Sequence, residues 1–130
     1  DLSASIGRVQ LKRFRSLMSK KNSLIRYYIK KIQSINFSLL LPYNIQNNSY
    51  WIMGLRHKKR DLLINHLNKN NISTGVHYLP LSKHPLYKKY DKNLKVSNNV
   101  WQEILTLPLH TGMSKKDIDR IVHCLNNFQK

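Results

Sequence analysis

Two prolines and a glycine divide this chain. Between Ile72 and Tyr87 lie Gly75, Pro80 and Pro85, interleaved with His77, Tyr78, His84 and Tyr87. Each proline removes a backbone donor and pushes the residue before it out of the helical region. A regular helix cannot cross the span, and a long central strand cannot either. The chain must fold as helical and extended pieces on either side of one shaped loop. Loops that carry polar aromatic tips on a rigid frame usually serve a site.

The flanks carry helical and extended patterns. Leu2, Ile6, Val9, Phe14, Leu17, Leu24, Tyr28, Ile32 and Ile35 recur near helical spacing, which predicts one long helix or two with a break near Ser19–Ser23. Ala4 and Gly7 would let another backbone approach closely. Leu39-Leu40-Leu41-Pro42 reads as extended, and Asn44 to Asn48 as a polar turn. Ser49 to Leu55 reads as a strand, and Lys58 to Asn70 as a helix with Leu62, Leu63 and Leu67 on one stripe and Asn70-Asn71 as its stop. Ile72 to Val76 is expected to be a second strand, and Lys88 to Lys95 an exposed connection. Ser97 could cap a helix that holds Val100, Trp101, Ile104 and Leu105, followed by a short strand and turn from Thr106 to His110. The last helix has the clearest start: Ser114 with Asp117 three residues on resembles a capping box, and Met113 with Ile118 a hydrophobic staple. Ile118, Ile121, Val122, Leu125 and Phe128 then share one face. The fold class is α+β: a small antiparallel or mixed sheet covered by helices, with a long N-terminal helix.

Composition bounds the function. With 130 residues and 41% apolar content the chain can bury one modest core. Its longest apolar run is too short for a membrane span. The single cysteine, Cys124, excludes an intrachain disulfide and fits a reducing cytoplasm. The formal charge of +17 suggests an anionic partner, yet the lysines fall in scattered pairs rather than one block. No nucleic-acid-binding motif accompanies them, so nucleic acid is not the expected partner. No Cys/His spacing fits a metal, the four glycines are isolated, and no nucleophile elbow occurs. His110 is expected to anchor the turn before the last helix. The chain starts at Asp1, already on the first helical pattern, and reads as a piece of something longer.

Four blocks in order carry a resemblance. Asp1-Leu2-Ser3-Ala4-Ser5-Ile6-Gly7 with Gln10-Leu11, Asn48-Ser49-Tyr50-Trp51 with Arg60-Asp61-Leu62, Asn71-Ile72-Ser73-Thr74-Gly75-Val76-His77-Tyr78, and Leu107-Pro108-Leu109-His110 with Met113-Ser114 together resemble the DegT-type sugar aminotransferases. Ser5 stands for a customary alanine, Trp51 for a common histidine and Asn71 for a glycine. The resemblance implies a pyridoxal-phosphate enzyme of fold-type I acting on nucleotide sugars. It implies that residues 1–36 are a linking helix and residues 37–130 the C-terminal small domain. The family's catalytic lysine, ring-nitrogen acid, stacking aromatic and phosphate-contacting asparagine lie upstream of the matched part. This chain is therefore expected to hold no catalytic or cofactor-binding residue and to be inactive alone. Substrate contacts are expected from His77, Tyr78 and His84. A large N-terminal domain would be the missing partner, and the first helix would mediate homo-oligomerisation. The rival readings are a free-standing basic module that binds nucleic acid or an acidic partner, and a non-functional gene remnant.

Overall fold

The computed structural model describes every residue except 34, 36, 41–48, 91, 93 and 130. The elements follow the order α1 (Leu2–Gln33), β1 (Ser38–Leu39), β2 (Met53–Arg56), α2 (Arg60–Lys69), two short 3₁₀ turns (Leu81–Lys83 and Pro85–Tyr90), α3 (Lys95–Glu103), β3 (Ile104–Leu107) and α4 (Lys115–Gln129). The three strands form one antiparallel sheet in the order β1-β2-β3. The architecture is α+β, as the sequence predicts.

Helix α1 runs unbroken through Ser19–Ser23, so the two-helix option is set aside. At 1.5 Å per residue it is about 48 Å long. Its two halves differ. Leu24, Ile25, Tyr28 and Ile32 are buried, one stripe at helical spacing. Residues 1–16 are exposed throughout, among them Leu2 (78% exposed), Ile6 (54%) and Phe14 (54%). The docked half grips α4: the Tyr27 hydroxyl donates to both Asp119 carboxylate oxygens at 2.8 and 3.0 Å, and Lys31 Nζ lies 2.8 Å from the same carboxylate. Tyr28, fully buried, donates its hydroxyl proton to the Pro108 carbonyl at 3.0 Å.

The sheet puts its apolar face on the core. Met53 pairs with Leu107 and Leu55 with Leu105, and all four belong to the buried cluster. The alternate pair, Gly54 opposite Thr106, faces the other way. Strand β2 is shorter than the expected Ser49–Leu55 run. The expected Ile72–Val76 strand is reduced to one bridge between Gly75 and Thr106, because Val76 and His77 turn away toward Pro80. The expected turn at Asn44–Asn48 and the Leu41-Pro42 end of the extended stretch lie outside the described residues. The Lys88–Lys95 connection is exposed at every described residue, as expected, but its ends are ordered: Lys88 and Lys89 lie in the second 3₁₀ turn, and Lys95 opens α3.

Two helix ends follow the local chemistry read from the sequence, and the start of α3 does not. Helix α2 stops in a Schellman arrangement, in which the Ile72 N–H reaches the Leu67 carbonyl (3.0 Å) and the Asn71 N–H reaches that of Asn68 (2.9 Å). Asn71 sits at φ 56°, the left-handed region where glycine and asparagine cost least. That explains why asparagine can replace glycine in this block. Ser114 and Asp117 form the predicted box: Asp117 accepts from the Ser114 N–H (2.7 Å) and hydroxyl (2.8 Å), and the Asp117 N–H returns to Ser114 Oγ (3.3 Å). Ser97 departs from its expected role. Helix α3 begins two residues earlier, behind Leu94, and Ser97 caps nothing. Ile104 and Leu105 belong to β3, not to that helix, because pairing with Arg56 and Leu55 buries them. Leu62 also leaves its expected stripe and is exposed, while Leu63 and Leu67 are buried. Arg60, 8% exposed, instead ties α2 to the sheet by donating to the carbonyls of Trp101 (3.1 Å) and Ile104 (3.2 Å) and lying over the Trp101 ring.

Candidate functional site

The loop after α2 is fastened to β3 at one point. The Gly75 N–H donates to the Thr106 carbonyl (3.2 Å) and the Thr106 N–H to the Gly75 carbonyl (2.8 Å). The Thr106 hydroxyl adds a third bond to the Gly75 carbonyl at 3.2 Å and lies 3.0 Å from His77 Nδ1. The His77 ring folds back over Gly75 so closely that a Cβ there would stand 2.6 Å from His77 Cε1 and 3.1 Å from Thr106 Oγ1. Glycine is therefore needed at 75 for close approach, although its φ is not left-handed. Thr106 is buried on the strand face away from the core, so its hydroxyl is a fixed post for the ring.

Two aromatic rings complete the setting. Trp51, just before β2, meets the His77 ring edge-on at 5.5 Å between centroids, and Tyr78 does so at 4.8 Å. Such T-shaped contacts hold a ring in place beyond simple burial. His77 is half-buried, and Tyr78 is 67% exposed, with its phenol turned outward. His77 and Tyr78, neighbours in sequence, also pack ring against ring. His84 stands apart. It links the two 3₁₀ turns through its backbone, donating to the Leu81 carbonyl and accepting from the Tyr87 N–H. Its exposed ring makes no contact with His77 or Tyr78 among the described residues.

Trp51 and Thr106 were not singled out as site residues from sequence. The signal for Thr106 was present: one hydroxyl inside the run Ile104-Leu105-Thr106-Leu107, where period-2 alternation turns it away from the apolar face. The other histidines do other work. The His110 carbonyl accepts the Met113 N–H at 3.1 Å in the turn before α4. His123 is exposed and pairs with Asn127, while Cys124 beside it is buried, as neighbours on a helix must be.

A cavity of about 1050 Å³ opens at the opposite end of β2, between Phe37, Leu39, Arg56, His57, Glu103 and Phe128. It includes none of His77, Tyr78 and His84. Arg56 and Glu103 are ion-paired across it, and the His57 ring lies between those of Phe37 and Phe128. The His77 cluster lies at the surface, with Tyr78 exposed beside it.

The sequence profile of the DegT/DnrJ/EryC1/StrS aminotransferase family matches residues 1–126. A dTDP-4-amino-4,6-dideoxy-D-glucose transaminase of Escherichia coli is 28% identical over 136 residues, covering 96% of this chain and 37% of the relative. The spore coat polysaccharide biosynthesis protein SpsC of Bacillus subtilis is 27% identical over 143 residues, covering 100% of this chain and 36% of the relative. The chain thus spans about a third of the length of these relatives. Among solved structures, a putative sugar aminotransferase from Streptococcus pneumoniae in its PLP form superposes with a TM-score of 0.82 at 26% identity, covering 95% of this chain and 34% of that one. With a profile that runs from the first turn of α1 almost to the end of α4, the chain belongs to the DegT/DnrJ/EryC1/StrS aminotransferase family.

Proposed function

We propose that this chain is the C-terminal part of a pyridoxal-phosphate-dependent nucleotide-sugar aminotransferase, working in the cytoplasm in amino-sugar or surface-polysaccharide synthesis. Residues 1–36 act as the linking helix and residues 37–130 as the small domain. The observation that carries this reading is the built cluster at the loop: Gly75 and Thr106 hold His77, and Tyr78 and Trp51 flank it. A half-buried imidazole beside an exposed phenol offers hydrogen-bond partners to a hydroxylated sugar. His84, on the same loop but outside the cluster, is assigned a separate contact to the substrate.

Pyridoxal phosphate supplies the electron sink for amino-group transfer, and it needs a carrier amine and an acid for its ring nitrogen. The partners of His77 are Gly75, Thr106, Trp51 and Tyr78, which provide neither a lysine nor a carboxylate. This cluster does not fit the cofactor by itself, so no step through it is assigned to these residues. The amine, the acid and the opposite wall of the cleft are assigned to a large domain that docks on the exposed half of α1. A second subunit packs against the same helix.

The test is direct. Titration of the chain with dTDP-glucose, followed by amide and ring resonances, is expected to move His77 and Tyr78 first. Pyridoxal phosphate added alone is expected to keep the absorbance of the free cofactor. A stable lysine-bound chromophore, abolished by changing one lysine, would show that the chain carries its own catalytic centre.

A further inference from the structure

We propose that Thr106 is a positioning residue that locks His77 in the tautomer protonated at Nδ1, so that Nε2 presents a bare lone pair to the ligand. The proposal rests on the reading of His77 as a substrate contact and deepens it by naming what the imidazole can bind.

The argument is a count of protons. A threonine hydroxyl has one proton to give and lone pairs to receive others. Thr106 Oγ1 lies 3.2 Å from the Gly75 carbonyl, which can only accept, and 3.0 Å from His77 Nδ1, which can do either. Both contacts are made together only when the hydroxyl donates to Gly75 and accepts from a protonated Nδ1. The opposite tautomer would draw the hydroxyl proton toward Nδ1 and leave the Gly75 bond unmade. The ring cannot slide away from this choice, because Gly75 lies against Cε1 and Trp51 and Tyr78 press on it edge-on. Nothing among the described residues bonds to Nε2. The partner that fixes one imidazole nitrogen decides the role of the other.

A neutral imidazole with a free Nε2 lone pair accepts hydrogen bonds and cannot donate them from that atom. It suits a sugar hydroxyl or an ammonium group and is a poor partner for a phosphate oxygen. His77 would therefore read the sugar and not the diphosphate of a nucleotide sugar. Recognition of the diphosphate would fall to cationic side chains instead.

The experiment is nitrogen-15 NMR of the labelled full chain in mildly alkaline buffer, with the His77 signals identified by their loss in His77→Gln. The expected result is a pyrrole-type Nδ1 and a pyridine-type Nε2. Thr106→Ser is expected to preserve that pattern, and Thr106→Val, of equal shape, to shift it toward the Nε2-protonated form. A wild-type ring protonated at Nε2, or a pattern that Thr106→Val leaves untouched, overturns the proposal. Addition of dTDP-glucose is then expected to move Nε2 upfield, while inorganic pyrophosphate does not. A response to pyrophosphate instead overturns the preference for a donor ligand. The predicted tautomer with no response to either ligand supports the Thr106 lock and rejects His77 as a substrate contact.

Discussion

The two halves of α1 are made from one continuous helix and live under opposite conditions. The second half buries a stripe at helical spacing, sends a phenol into the core and clamps α4 with an ion pair. The first half also carries apolar residues at helical spacing, yet its residues 1–16 are all exposed among the described residues. Sequence periodicity alone does not separate them. The difference teaches that an amphipathic pattern reports that a helix face is meant to be covered, and is silent on whether the cover comes from the same chain.

That comparison can be broken by mutation. Tyr28→Ala removes a fully buried ring and its bond to Pro108, and is expected to lower stability by about 3–5 kcal/mol in urea denaturation. A loss no larger than that of a surface substitution would mean that the second half is not anchored either.

A smaller effect is expected from pH. The Lys31 hydrogen bond, followed by that of Tyr27, holds the Asp119 carboxyl below the usual carboxylate range, and the bond to Asp119 raises the Lys31 ammonium. A depressed carboxyl contributes stability above its unfolded value of about 3.9 and loses it as pH falls through the lower folded value. A raised amine contributes fully below about 10.4 and loses its share as pH climbs past the folded value. The clamp on α4 should therefore hold between those limits and weaken outside both. Asp119→Asn is expected to flatten the acid limb of the stability profile, and an unchanged acid limb would show that the clamp is ornamental.

The smallest effect on folding is expected from Phe14→Ala in the exposed half, within about 0.5 kcal/mol. The same change should reduce self-association, read as a fall in weight-average mass by sedimentation. If Phe14→Ala destabilises the chain as Tyr28→Ala does, the contrast between the halves disappears.

Legibility followed the range of the interactions. The Ser114–Asp117 box, the Asn70-Asn71 stop and the apolar face of α4 were readable because each is decided by residues within one or two turns. The strands were harder. Ile104 and Leu105 look helical next to Val100 and Trp101, and only pairing with Arg56 and Leu55 makes them a strand. The site divides in the same way. His77 and Tyr78 stood out in a loop shaped by glycine and proline, while Thr106 holds His77 from 29 positions away in sequence. His84 shared the loop but not the cluster, because two 3₁₀ turns carry it off.

The thiol of Cys124 packs among the core side chains of α4, and it is the only one the chain has. Its burial leaves a reagent in solvent little access to it while α4 stays packed. Its rate of labelling therefore reports how often α4 loosens around it, with no added probe.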